Sequence, residues 1–236
     1  MSLRPYAVEL EGVSTRYYGE KRPAIKNITV KIPAGVLALI TGPNGAGKTT
    51  LLETIIGILK PSKGRIRVLG YDVPRDLSKV RMLCSYLPQD FMKPPSEPFT
   101  AREVVAMGLS SKNPLGRLSR SDWRIVEEAL SLFGMMKYAD KPFGKLSGGQ
   151  QQKIMFARAL VRNPRLLLLD EPFSAIDRSS KQFILENVFP RILRGGCTIL
   201  LVSHNLDLGS VEPDILIEMR DGVLERVIMQ DVDASH

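Results

Sequence analysis

Apolar residues recur along this chain at two periods. Val8 and Leu10, and then Ile28, Val30 and Ile32, alternate with polar neighbours, which predicts half-exposed strands near the N-terminus. After the turn Pro33-Ala34-Gly35, residues 36–40 are apolar throughout, and residues 166–169 and 198–202 read the same way. Such runs are strands buried on both faces of a parallel sheet. Leu51, Leu52, Ile55, Ile56 and Leu59 fall at helical spacing, so a helix is predicted over 48–59, stopped by Pro61-Ser62-Lys63-Gly64. Residues 65–69 and 84–87 read as further strands. A proline-rich loop at 94–98 leads into short helices between Ala101 and Phe133, with Trp123, Val126, Leu130 and Phe133 on one face. Residues 148–160, ended by Asn163-Pro164, and residues 180–194 are helical. Residues 215–219 and 223–228 flank Asp221-Gly222, a two-residue hairpin turn. Strands alternating with helices predict a single α/β domain over 1–236. It has a parallel-sheet core, an antiparallel β patch before it and a helical insert at about residues 90–155.

Composition narrows the classes. The 236 residues are 44% hydrophobic and 25% charged, ordinary globular values that exclude disordered, collagen-like and disulfide-rich chains. No apolar run approaches the roughly 18–20 residues that cross a bilayer, which excludes a channel or permease built from this chain alone. Residues 1–5 lack the apolar stretch of a signal peptide. Cys84 and Cys197, in strand-like apolar surroundings, read as buried small hydrophobes of a reducing cytoplasm. With 33 basic and 25 acidic side chains the net charge is +8, which admits nucleic acid, an anionic membrane or a phosphate-rich ligand as partner.

Two motifs select the phosphate ligand. Gly42-Pro43-Asn44-Gly45-Ala46-Gly47-Lys48-Thr49 fits G-x-x-x-x-G-K-[ST], and it follows a buried strand and opens a helix. The glycines let the backbone turn its N–H groups onto phosphate oxygens at a helix N-terminus, whose dipole favours anions. Lys48 neutralises the β- and γ-phosphates, the Thr49 hydroxyl is a Mg²⁺ ligand, and Thr50 contacts the α-phosphate. Asp170 and Glu171 leave the buried strand 166–169 at the end where open α/β sheets bind ligands. Asp170 is placed to hold Mg²⁺, and Glu171 to take a proton from the attacking water.

Leu146-Ser147-Gly148-Gly149-Gln150, about twenty residues before Asp170, matches the signature of ATP-binding cassette (ABC) proteins. From about Ala7 to Met229 the chain resembles the nucleotide-binding subunit of an ABC transporter, a P-loop NTPase core with a helical subdomain particular to the family. Tyr17 matches the aromatic position that stacks on adenine, with Tyr18 the weaker alternative. Gln89 matches the Q-loop glutamine, which the resemblance makes a sensor of Mg²⁺ or of the attacking water. Ser174-Ala175-Ile176-Asp177 matches the D-loop, with Ile176 where leucine is more usual, and His204 matches the switch histidine. The resemblance implies a cofactor pair of ATP and Mg²⁺. It also implies two cassettes, in a homodimer or a heterodimer, closing head to tail around two ATP molecules. Ser147, Gly148, Gly149 and Gln150 of one cassette then face the γ-phosphate held by the other, and Asp177 communicates across the dimer. Integral membrane permease subunits would be the other partners, which places the chain peripherally on the cytoplasmic face of the cell membrane. The proline-rich segment 93–98, beside Gln89, is expected near the permease.

Other classes fit less well. DNA-repair and chromosome cassettes separate the phosphate loop from the signature by a very long coiled coil, whereas here the gap is about one hundred residues without heptads. Translation factors of the superfamily carry two cassettes per chain, and each motif here occurs once. No basic run or aromatic platform points to nucleic acid, and no such partner is expected. Residues 99–108, 121–130, 150–152 and 170–173 resemble importer cassettes for zinc or manganese, with iron-chelate and cobalamin importers close behind, any metal being cargo of the partner subunits.

Overall fold

Every residue of Leu166–Asp170 and of Thr198–Val202 is buried, which requires packing on both faces of the sheet that holds them. The computed structural model describes residues 5–89, 98–112, 117–204, 208–209 and 211–230. Segment 93–97 of the proline-rich stretch lies outside the described residues, and so does part of the expected insert. The main sheet has the order β10-β9-β3-β8-β7-β6. These strands are β3 (Leu37–Thr41), β6 (Cys84–Leu87), β7 (Leu166–Asp170), β8 (Thr198–Val202), β9 (Ile215–Arg220) and β10 (Val223–Met229). All neighbours are parallel except β10, which returns antiparallel to β9 through Asp221-Gly222. Both turn residues have positive φ, 49° and 78°, as a tight hairpin requires.

The pleat sorts alternate residues into two cores. Leu37, Leu39, Leu167, Leu169, Ile199 and Leu201 join one cluster with α3 (Ala101–Ala106), α4 (Arg120–Leu132), α5 (Gly148–Leu160) and α7 (Phe189–Arg194). Ala38, Ile40, Leu166, Leu168, Leu200 and Val202 join another, closed by α1 (Lys48–Ile55) and a second sheet of order β2-β1-β4-β5. That sheet is antiparallel, from β1 (Tyr6–Thr15), β2 (Ile25–Pro33), β4 (Lys63–Val68) and β5 (Tyr71–Val73). The expected α/β core and antiparallel patch are therefore present. No helix among the described residues is long and apolar enough to cross a membrane.

The departures have local causes. α1 ends at Ile55 rather than at 59, with Gly57 left-handed at φ 72° just beyond it. β5 and the helix α2 (Leu77–Leu83) were not expected; Val80 is the one buried residue of α2, too little for a periodic signal. The helix expected over 180–194 is α6 (Arg178–Phe183), a widened π turn at Ile184–Val188, and α7. Pro190 has no N–H for the carbonyl four residues back and clashes with it, and widening of the preceding turn relieves the clash.

Burial in both cores makes the central strand intolerant of truncation. Leu168→Ala should destabilise the protein by about 2–5 kcal/mol, read as a lower urea midpoint with an unchanged slope. A loss below about 1 kcal/mol would mean that the site collapses freely.

Candidate active site

The phosphate loop leaves the C-terminal end of β3 and is propped from behind. Gly42, at φ 144°, packs against the Met219 carbonyl on β9, where a Cβ would collide with that oxygen. The Gly222 N–H of the hairpin turn donates to the Ala46 carbonyl at 3.2 Å. Gly45 and Gly47 also have positive φ, and Asn44 and Gly45 lie on the exposed crest between the buried Ala46 and β3. Lys48 is buried, and its ammonium donates to the Gly42 and Pro43 carbonyls at 2.8 and 2.9 Å. These bonds hold the loop in shape. Burial lowers the Lys48 pKa, while the negative charges of Glu171 and Asp170 oppose that shift.

Asp170 ends β7 with no exposure, and neither carboxylate oxygen closes a hydrogen bond among the described residues. The hydroxyls of Thr49 and Tyr86 face it without satisfying it, and burial raises its pKa. Glu171 follows at φ 48°, a strained conformation for a non-glycine residue, with its N–H on the Val202 carbonyl at 3.1 Å. This turn directs its carboxylate at Nε2 of His204, which leaves the adjacent strand β8. Phosphate-loop lysine, buried aspartate, glutamate and histidine thus converge from three neighbouring strand ends.

Tyr17 and Thr50 meet directly: the tyrosine hydroxyl lies 3.0 Å from Thr50 Oγ1 and donates to Glu53 Oε2 at 3.3 Å. Tyr18 is fully exposed. Gln89 sits two residues past β6, exposed, beyond Tyr86 on the same strand end. The roles of Tyr86 and Glu53 escaped the sequence reading, because a tyrosine in a strand reads as packing and a glutamate on a helix as solvated surface. The clue available was Tyr86, three residues before Gln89.

The signature residues open α5 on a different edge. Ser147 Oγ accepts from the Gln150 N–H at 3.4 Å, and Gln150 Oε1 accepts from the Ser147 N–H at 3.1 Å, a reciprocal helix cap. Ser147 and Gly148 are exposed. A Cβ on Gly149 would lie 2.9 Å from the Ala175 carbonyl, so only glycine lets the helix start approach the D-loop this closely. Lys153 meets Asp177 at 3.4 Å, and Asp177 caps α6 by accepting from the Ser180 N–H at 2.9 Å. Hydrogen bonds from Ser179 and Ser180 hold the Asp177 pKa far below the usual carboxylate range. Asp177 thus makes its bonds within its own chain while its side chain stays exposed.

Residues 25–174 match the model of the ABC transporter family. The chain belongs to that family. This ABC cassette is 36% identical over 200 residues to the manganese transport system ATP-binding protein MntA of Synechocystis sp., covering 84% of the chain and 75% of that protein. It is 38% identical over 210 residues to the zinc transport system ATP-binding protein TroB of Treponema pallidum, covering 87% and 75%. Among solved structures, the dimeric post-hydrolysis ATP-binding cassette MJ0796 with ADP and phosphate superposes with a TM-score of 0.84 at 28% identity, over 94% of this chain and 98% of that one. The cassette is an ATP-hydrolysing transport subunit.

A buried carboxylate without partners destabilises the unliganded fold. The folded pKa of Asp170 is raised, so its favourable contribution is full below the unfolded value near 3.8 and is lost as pH rises through the folded value. Asp170→Asn should therefore stabilise the nucleotide-free cassette at pH 7 by on the order of 1–3 kcal/mol and should flatten the decline of stability above pH 4. Urea titrations from pH 4 to 8 check this, and a less stable variant at pH 7 would contradict it.

Proposed function

We propose that the cassette couples hydrolysis of Mg²⁺-ATP, in a head-to-tail pair, to movement of a divalent transition-metal ion through a separate integral membrane permease, on the cytoplasmic face of the membrane. The observation that carries the hydrolytic part is the Glu171 carboxylate set against His204 beside the phosphate loop. Glu171 Oε1 takes the proton of the attacking water. His204 Nε2 holds that carboxylate in line, and would turn to the γ-phosphate only by giving up this bond. Lys48, released from the Gly42 and Pro43 carbonyls, neutralises phosphate charge as the substrate enters.

The residues fit Mg²⁺. That ion keeps most of its waters and takes one or two protein oxygens plus phosphates, and it wants a carboxylate with free lone pairs. Asp170 offers two unmet oxygens facing the Thr49 hydroxyl, and Gln89 stands at the next strand end. The ion would supply charge neutralisation between the β- and γ-phosphates.

Ser147, Gly148 and Gly149 are exposed or half-exposed at a helix start, where the N–H groups of Gly148 and Gly149 face outward from the first turn, and no hydrogen bond among the described residues ties them to the phosphate loop of their own chain. Contact with the trans γ-phosphate completes the site only on closure, which links hydrolysis to a domain motion. The metal cargo rests on the relatives named for manganese and zinc transport. Co-purification of the native complex from membranes, with identification of the bound solute, tests it.

Two variants separate binding from turnover. Lys48→Ala should abolish tight ATP binding in a fluorescent-nucleotide titration, and unchanged affinity would remove the phosphate-loop assignment. Glu171→Gln should lower the ATPase rate by about 10²–10⁴ while leaving binding intact. Because it also removes a negative charge near the γ-phosphate, ATP but not ADP should double its apparent mass on size exclusion. Ser147→Arg in the same background should prevent that doubling. Wild-type turnover in Glu171→Gln would exclude Glu171 as the base.

A further inference from the structure

Neither oxygen of the fully buried Asp170 closes a hydrogen bond among the described residues. One side chain that the hydrolytic reading does not use is aimed at it. Tyr86 lies on β6, the strand at the sheet edge, and the parallel register pairs it with Leu168 of β7. Side chains alternate along a strand, so Tyr86, Leu168 and Asp170 share one face of the sheet. Asp170 is the diagonal neighbour of Tyr86, one strand over and two residues on. Strand spacing and rise put the two Cα atoms about 8 Å apart. An aromatic side chain reaches across a diagonal of that kind. The Tyr86 ring packs against the core of this face, which includes Leu166, Leu168 and Val202, and its hydroxyl faces the Asp170 carboxylate. The other carboxylate that the phenol faces is Glu53, which already takes the Tyr17 hydroxyl at 3.3 Å. Burial pushes the Tyr86 phenol up, so toward a carboxylate it can only donate. Packing alone does not ask for that hydroxyl. A phenylalanine would fill the same place on the core, whereas a hydroxyl brought to a buried niche costs desolvation unless it bonds.

We propose that Tyr86 is a positioning residue of the hydrolytic site: its hydroxyl donates to one Asp170 oxygen and so holds the carboxylate with the other oxygen turned to the cation of the bound nucleotide. The proposal rests on the Mg²⁺ reading above and adds the residue that orients the carboxylate. A carboxyl group turns about its last single bond, and in a niche with two unmet oxygens nothing fixes that turn. An ionised carboxylate accepts at about four lone-pair sites. A bond from Tyr86 therefore leaves room for the Thr49 hydroxyl and for a cation with its waters. Groups bonded behind a metal-holding side chain set its orientation, and their loss typically lowers metal affinity about 10–100-fold. The Tyr86 ring is already held by the sheet and the core, so its hydroxyl is brought to the carboxylate at little further ordering cost.

The test uses the full chain with the non-hydrolysable nucleotide AMP-PNP, and Mn²⁺ as a paramagnetic probe. Tyr86→Phe keeps the ring and removes only the hydroxyl. With protein in excess over nucleotide, the electron paramagnetic resonance signal of free Mn²⁺ should report a metal affinity about 10–100-fold lower in this variant. Affinity for AMP-PNP in EDTA should match the wild type, a split that a loss of packing would not give. In an Asp170→Ala background, which lacks both oxygens, Tyr86→Phe should lower Mn²⁺ affinity no further. A second measurement keeps the hydroxyl: 3-fluorotyrosine placed at position 86 should show a shifted ¹⁹F resonance when Mg²⁺ is added to the AMP-PNP complex. Unchanged Mn²⁺ affinity in Tyr86→Phe, a further loss in the Asp170→Ala background, or a ¹⁹F resonance that does not respond to Mg²⁺ overturns the positioning role. If Asp170→Ala alone weakens Mn²⁺ binding in those cases, the Mg²⁺ reading stands without it. Equal loss of AMP-PNP binding with and without metal makes Tyr86 a packing residue and overturns the proposal as well. Unchanged Mn²⁺ affinity in Asp170→Ala overturns the Mg²⁺ reading and the proposal together.

Discussion

A carboxylate with two unmet oxygens lies at the end of a strand that no water reaches. β7 is leucine at every position before Asp170 because one core packs on each of its faces. That packing fixes where the strand ends, and so fixes Asp170 in a low-dielectric niche where its ionised form is unfavourable. The hydroxyls of Thr49 and Tyr86 and the charge of Lys48 moderate the penalty without removing it. A cation held there jointly with phosphate, as proposed above, would relieve it. The nucleotide-free fold therefore retains free energy that the ligand releases, and ligand binding must appear as stability.

The remaining site parts are arranged around that niche by neighbouring strand ends. β8 lies between β3 and β7, so His204 emerges between the phosphate loop and the acidic pair. The β9–β10 turn braces the loop through Gly222 and Ala46. The signature helix is tied elsewhere, by Gly149 against Ala175 and by Lys153 to Asp177. Those ties join the two segments that, in a head-to-tail pair, would face the other chain. Such ties would let the two segments act as one unit in the proposed composite site.

Much of this was readable from residue order. The all-apolar runs gave β3, β7 and β8, and the glycine-lysine loop and α5 were placed to within a residue or two. The parts that were not readable carry weak or displaced signals. α2 buries little, and β5 is three residues long behind a Leu69-Gly70 turn that lacks the Asn-Gly or Asp-Gly pattern. The interruption after α6 follows from one proline acting on the turn before it. At the site, motif order placed Lys48, Asp170, Glu171 and His204, but it says nothing of partners across the fold. Tyr86 facing Asp170 and Glu53 holding Tyr17 depend on pairings that only the tertiary structure makes.

Tyr17 shows how such a pairing changes the chemistry. Its ring could swing freely in a loop, and a free ring must be ordered when a base stacks on it. Here its hydroxyl is already fixed to Thr50 and Glu53 on α1, the helix that opens from the phosphate loop. Part of the ordering entropy is then spent in folding rather than in binding. Thr50, however, cannot keep its bond to Tyr17 undisturbed and also turn its hydroxyl fully to an α-phosphate. Glu53 resolves that conflict. As a second acceptor for the Tyr17 hydroxyl it keeps the ring in place when Thr50 changes partner. If a base stacks on Tyr17 and an α-phosphate meets Thr50, as the family resemblance implies, the platform and the phosphate contact would respond together to one ligand.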